Sequence, residues 1–279
     1  MISEAEIRRI AAVKRVDPMV IDLDYCLGWL INGLVKESTI TSKLVFKGGT
    51  CLRKCYFEDY RFSEDIDFTA IQPLTLSELK DAIQSAVEWV YENDGPDFRI
   101  VPPRLEIVSD EYGKENYEAR IYFSGGIEFH GSPRLIRMDI TRDEIIVFPL
   151  KNLPIVHVYS DGQLLNNRIT CYSLEEMLSE KTRALLGQRR FAISRDLYDI
   201  YYLLLEGIDT NTVKDSLDKK FSIKGMTVGS FKLDKFCARK EIFRKDWGRK
   251  LNYLVEPAIT SFDQVWDHVE DYFRQILSN

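Results

Sequence analysis

The stretch from Phe46 to Thr69, FKGGTCLRKCYFEDYRFSEDIDFT, constrains this chain more than any other. It stops an apolar strand on two glycines and then sets two aspartates two residues apart in a second extended segment. Lys43 to Phe46 reads as a short strand ending at Gly48-Gly49-Thr50, after which Cys51, Leu52, Cys55 and Tyr56 recur at helical spacing. The turn therefore opens a helix, whose free backbone N–H groups and positive dipole end favour an anion such as phosphate. Thr50 either caps that helix or hydrogen-bonds a phosphate oxygen. A strand-to-helix turn that needs positive φ accounts for the glycines equally well, and the two roles are compatible.

Ile66 and Phe68 make the segment around them β-prone, and residues i and i+2 of a strand point to one face. Asp65 and Asp67 thus project together, although an acidic turn in water is the plainer reading of such a pair taken alone. Two adjacent carboxylates repel, and a divalent cation relieves them. Mg²⁺ (or Mn²⁺) suits the pattern, because Mg²⁺ is commonly held by one or two carboxylates, waters and substrate phosphates. A third acid is expected from a neighbouring strand, and RLIRMDIT, Arg134 to Thr141, supplies Asp139 between Met138 and Ile140. An acid among apolar residues is costly to bury without a partner. The alternatives are that Asp139 faces water on an edge strand, or that nearby Asp143 takes its place.

A glycine turn, an Asp-x-Asp pair and a later third acid resemble the polymerase-β-like nucleotidyltransferases. Within that group FKGGTCLRK, RFSEDIDF and RDLYDIYYLL resemble the AbiEii/AbiGii-type abortive-infection toxins, the nucleotidyltransferase component of bacterial toxin–antitoxin pairs. The resemblance spans Lys43 to Leu205. Many nucleotidyltransferases carry Gly-Ser in the turn, and Gly49-Thr50 keeps the hydroxyl. The resemblance implies an α+β fold: a polymerase-β-like core sheet with flanking helices over residues 1–170, and a mainly helical part over 171–279 that completes the active site. It implies transfer of NMP from an NTP to an acceptor hydroxyl, with a tRNA 3′ end as acceptor, growth inhibition as outcome and a cognate antitoxin as partner. Asp65, Asp67 and Asp139 are the expected metal ligands and, with Lys181 and Asp196, the catalytic set; Lys47, Gly48, Gly49, Thr50, Ser63 and Lys181 are the expected nucleotide contacts. Two bound ions would activate the attacking oxygen and stabilise the leaving pyrophosphate. Transfer to a protein or an aminoglycoside-like hydroxyl, or a silent nucleotide- or antitoxin-binding module, are the competing readings.

In the second half EEMLSEKTRALL is amphipathic, with Leu174, Met177, Leu178, Leu185 and Leu186 on a buried stripe and Lys181 in its middle. Gly187 is expected to end that helix and Ser194 to cap the next, whose core is Leu197, Ile200, Tyr201, Leu203 and Leu204. Asp196 and Asp199 share a face of it. The plainer reading makes Lys181 a solvated helix lysine and Arg195–Asp199 an i,i+4 pair. Ser63 serves phosphate or the start of a strand. The helices over Ser3 to Val35 are expected to pack across the sheet, a further helix spans Leu76 to Glu92, and strands at 104–109, 117–123, 135–141 and 168–170 are expected to extend the sheet. From Gly207 the chain reads as helical, with a loop near 223–230.

Composition bounds the rest. A chain of 279 residues with 45% hydrophobic content can bury a sizeable core. No apolar run reaches the roughly 18–20 residues that span a bilayer, and the N-terminus lacks a signal-peptide core, so the cytoplasm is the expected compartment. Five cysteines in no recognisable spacing suggest neither a disulfide framework nor a zinc site, and Cys51 and Cys55 are expected in the core. The net charge of −6 argues against general nucleic-acid binding. Lys232 to Lys250 nevertheless concentrates basic residues with Phe236, Phe243 and Trp247 interleaved, which reads either as an RNA-backbone track with a base-stacking platform or as the solvated face of a helix.

Overall fold

Side chains that accept from open backbone N–H groups start the long helices of the first half. Ser3 accepts from Glu6 N–H ahead of α1 (Glu4–Lys14), and Asp17 accepts from Met19 N–H ahead of α2 (Pro18–Leu34), which begins on a proline. A short α3 (Ser38–Lys43) leads into β1 (Leu44–Lys47). One helical turn, α4 (Gly48–Cys51), follows and continues as a π-helical turn over Leu52–Tyr56. After β2 (Asp65–Ala70), Thr75 and Glu78 form a reciprocal capping box that starts α5 (Leu76–Glu92). β3 (Arg104–Ser109), β4 (Glu115–Phe123), β5 (Arg134–Thr141), β6 (Lys151–Pro154) and β7 (Arg168–Cys171) complete the strands. The structure is a computed structural model, and it describes residues 1–110, 113–128, 130–188, 193–223, 225–256 and 260–277.

The fold is mixed α/β, and the seven strands of the described residues join one sheet in the order β3-β4-β5-β2-β1-β7-β6. The strands expected to extend the aspartate-bearing sheet do so. β2 pairs with β5 and β1 with β7 in parallel, and the remaining pairs are antiparallel. The period-two pattern segregates the two faces: Phe46, Ile66, Phe68, Ile136, Met138, Ile140, Ala119 and Ile121 point one way and are buried. The alternate positions carry Lys47, Asp65, Asp67, Arg137, Asp139 and Glu118. α2 and α5 pack against each other and add Leu27, Leu30, Ile31, Ile83, Val87 and Val90 to the buried set, so one face of the sheet carries the core and the other carries the charges.

The chain divides into two compact units: Met1–Glu144 with Leu150–Cys171, and Ile145–Pro149 with Tyr172–Asn279. A buried carboxylate organises the first. Asp24 of α2 accepts from Arg53 Nε at 2.6 Å, Lys54 Nζ at 2.7 Å and the Tyr159 hydroxyl at 2.7 Å. Burial alone would raise its pKa, but the two cations outweigh it and hold the carboxyl well below the usual range. Arg53 also donates to the Tyr60 carbonyl at 2.6 Å and lies over the Phe62 ring, while Val156 N–H donates to the Lys54 carbonyl at 2.7 Å. The π-helical turn after the glycines is therefore fixed from three sides.

The second unit contains α6 (Leu174–Arg183) with a π-helical turn over Ala184–Gln188, α7 (Ser194–Leu205), α8 (Thr210–Ser222), α9 (Leu233–Cys237), α10 (Lys240–Asp246) and α11 (Phe262–Leu277). Gly187 lies inside the π-helical turn and does not end the first helix. Ser194 is the first residue of α7 and does not cap it through its own oxygen; its N–H and hydroxyl both donate to Asp246 at 2.8 Å. Residues 189–192 and position 224 of the expected 223–230 loop lie outside the described residues. The aromatic set expected to stack a base is core instead: Phe236 stacks on Trp266 with ring centroids 4.6 Å apart, and Phe236, Phe243 and Trp247 are buried. Lys240 and Arg244 pair with acids of α11, Asp263 and Asp267 among them. Packing took these rings because each sits on the apolar stripe of a short amphipathic helix.

Glu176 of α6 and Lys220 of α8, both fully buried, form an ion pair. Glu176 also accepts from the Val147 and Phe148 N–H groups at 2.8 Å, and Lys220 donates to the Ile145 carbonyl at 2.6 Å. Breaking a buried pair leaves an uncompensated charge. Lys220→Met is therefore expected to lower the unfolding free energy by about 3–5 kcal/mol in urea denaturation, and the double variant Glu176→Gln/Lys220→Met to recover part of that loss.

Candidate active site

The polar face of the sheet carries the acids at its centre. In the parallel register of β2 and β5, Asp67 lies beside Asp139 and Asp65 beside Arg137; across β4, Glu118 lies beside Asp139. Neighbouring positions in register share a face, so Asp65, Asp67, Asp139 and Glu118 concentrate negative charge on adjacent strands. Asp139 shows the consequence. Its carboxyl is pushed up to about 7, first by burial and then by the negative charge of Asp67, with Asp65 and Glu118 adding to the rise and Arg137 opposing it. Asp143, the competing acid, lies past the end of β5 and pairs with Lys114.

The glycine turn closes against these acids from β1. Gly48 has a φ of 79°, in the region that disfavours a side chain, and a β-carbon there would collide with the Asp67 carboxylate. A β-carbon at Gly49 would collide with the Arg61 guanidinium. The two glycines thus serve close approach as well as turn geometry. Arg61, buried in the segment before β2, is not among the residues expected from sequence; the signal for it is its place in RFSEDIDF, two residues before Ser63. Lys47 pairs in register with Asp67 and donates to Thr141 Oγ1 at 3.2 Å. Thr50 is buried and its hydroxyl donates to the Asp65 carbonyl, so it ties the turn to β2 and is not the helix cap; Lys47 holds the cap position. Ser63 is buried two residues ahead of β2.

These residues fit a hard divalent cation by donor chemistry: oxygen ligands only, with mutual repulsion that raises Asp139 and that positive charge would relieve. The fit is to an open, partly hydrated site and not to a closed cage. Among the described residues, the one group of three acid, histidine or cysteine ligands whose donor atoms all lie within 4.8 Å of each other is Cys51, Cys55 and Cys171.

In the second unit Lys181 of α6 sits between the two aspartates of α7, with Nζ 2.6 Å from Asp199 Oδ2 and 3.0 Å from Asp196 Oδ1. Its side chain is 14% exposed, so it is not a solvated helix lysine. The i,i+3 spacing of the aspartates makes the cradle, and Asp199 is as much part of it as Asp196.

A family model described as the nucleotidyl transferase AbiEii toxin of type IV toxin–antitoxin systems matches residues 30–268. Among solved structures, JHP933 from Helicobacter pylori is similar in fold at 16% identity and a TM-score of 0.51, over 94% of this chain and 93% of that one. A second H. pylori structure, carrying a provisional nucleotidyltransferase assignment, aligns at 18% identity and a TM-score of 0.48, over 90% of this chain and 94% of that one. A search of curated proteins found no match.

The raised Asp139 carboxyl makes a prediction about the metal-free protein. A carboxyl whose folded pKa lies above its unfolded value costs nothing below pH 4 and an increasing amount as pH rises through 7. Asp139→Asn is therefore expected to stabilise the metal-free protein by about 2 kcal/mol at pH 8, with solvent screening included, and to change little at pH 4. Thermal melts in chelator at the two pH values check it.

Proposed function

The chain belongs to the AbiEii nucleotidyl transferase toxin family, and from that premise we propose a divalent-cation-dependent transfer of NMP from an NTP to the hydroxyl of a tRNA 3′ end. As a nucleotidyltransferase toxin of a type IV system it has an antitoxin as partner. The observation that carries the chemical reading is the register of Asp67 with Asp139, beside a glycine turn whose first β-carbon would strike Asp67.

Asp65, Asp67 and Asp139 are the residues that would hold Mg²⁺ or Mn²⁺, which when bound would supply positive charge for the phosphates and the acceptor oxygen. The backbone N–H groups of the Gly48-Gly49 turn receive the phosphates, with Lys47, Arg61 and Ser63 as side-chain contacts. The acceptor oxygen attacks the α-phosphorus in line; the new O–P bond forms as the bond to pyrophosphate breaks, and pyrophosphate carries away the electron pair. Asp139 serves either as the third ligand or as the group that takes the proton of the acceptor hydroxyl. Positioning and charge neutralisation supply most of the rate. Within the helical unit, Asp196 and Asp199 keep Lys181 in place. No described helix is long and apolar enough to cross a membrane, and the cytoplasm, where NTP and tRNA meet, is the proposed compartment.

The test incubates purified protein with Mg²⁺, total tRNA and each α-labelled NTP, alongside Asp65→Asn/Asp67→Asn. Label is expected on RNA and is expected to fall by at least about 10³-fold in the double variant with folding retained. Label on protein or on an aminoglycoside would move the acceptor to those classes. Tight NTP binding without pyrophosphate release over every acceptor would replace the transferase reading with a binding module. An active, folded double variant would refute the mechanism.

A further inference from the structure

We propose that Cys51, Cys55 and Cys171 form a buried trithiolate site for one thiophilic d¹⁰ cation of the Zn²⁺ class, separate from the carboxylate site.

The sulfurs come from distant parts of the chain. Cys51 ends α4, Cys55 lies one turn on in the π-helical segment, and Cys171 ends β7, which pairs with β1 through Phe46. Sequence spacing hid the group, because only two of its members are near neighbours. The fold brings all three sulfurs within 4.8 Å of one another, and all three residues are buried. With metal–sulfur bonds of about 2.3 Å, three sulfurs around one ion stand about 3.8–4.0 Å apart. Loading the site therefore requires side-chain contraction of less than about 1 Å from the arrangement already present. Soft thiolate donors select Zn²⁺, Cd²⁺ and their congeners over Mg²⁺, so the ion the carboxylates would take does not compete here.

Charge balance points the same way. Three thiolates and a divalent ion leave one net negative charge. The same turn of helix carries Arg53 and Lys54, both buried and both paired to the single carboxylate of Asp24, which leaves one net positive charge. A loaded centre and this cluster cancel. The alternative role for these cysteines, small apolar side chains filling the core, explains their burial but not the convergence of three sulfurs beside a surplus of positive charge.

The site lies on the helix that the glycine turn opens, so loading would brace that helix. The test strips the reduced, full-length protein of metal and titrates it with Cd²⁺ in excess Mg²⁺. Sulfur-to-cadmium charge-transfer absorption is expected to saturate at one ion per chain, and X-ray absorption to count three sulfurs around it. Cys171→Ser is expected to lose the saturable band, whereas Cys26→Ser and Cys237→Ser keep it. A loaded wild-type chain is also expected to melt higher than the stripped one. No saturable band, two or fewer sulfurs, or equal losses from Cys26→Ser would overturn the site. Should Cys171→Ser fail to fold, the sulfur count on the wild-type protein decides.

Discussion

The candidate site depends on one buried carboxylate outside the acid cluster. Asp24 is buried in α2, and its carboxylate gathers Arg53, Lys54 and Tyr159. These partners fix the turn that follows Gly48-Gly49, and Gly48 at its head lies against the Asp67 carboxylate. A buried carboxylate with three donors holds its partners firmly because leaving any of them unpaired is costly. The glycine turn can then carry no side chains at the point of closest approach. Its position is set by residues several positions further on, Arg53 and Lys54.

Much of this was legible in the sequence. Alternation of Ile66 and Phe68 with Asp65, Asp67 and Thr69 gives the strand and its two faces, and RLIRMDIT gives the second acid-bearing strand with the same alternation. Parallel pairing of β2 with β5 is a tertiary fact, yet only that pairing sets Asp139 rather than Asp143 beside Asp67. Local rules went astray where distant partners intervened. Ser194 looks like a helix cap, but Asp246 supplies the acceptor from 52 residues away. Gly187 looks like a helix terminator, but a π-helical turn runs through it. Phe236, Phe243 and Trp247 sit among basic residues in the sequence, and helical periodicity turns the rings inward while the charges stay outside. Asp24, one acid in a helix read as core, gave no sign that it would answer Arg53 and Lys54, because nothing local marks a pair separated by some thirty residues.

The two groups of acids show how environment divides one residue type between roles. Asp24 lies among cations and stays ionised far below neutrality, whereas Asp139 lies among other acids and is lifted to about 7. Burial pushes both upward; the neighbours decide the outcome. Asp196 and Asp199 form a third case, in which two carboxylates share one lysine. One residue type thus takes three charge states of readiness from its neighbours alone.

The segment Ile145–Pro149 belongs to the second unit although the chain on both sides of it belongs to the first. Its backbone N–H groups at Val147 and Phe148 leave the ribosome 29 and 28 residues before the Glu176 carboxylate that takes them, and the Lys220 that answers Ile145 follows 75 residues after it. The helical unit therefore cannot finish assembling as its own stretch of chain emerges; it has to recover five residues made earlier, with two sheet strands synthesised in between. Neither unit corresponds to a single run of sequence, so no single cut in the gene yields two products that each hold one whole unit.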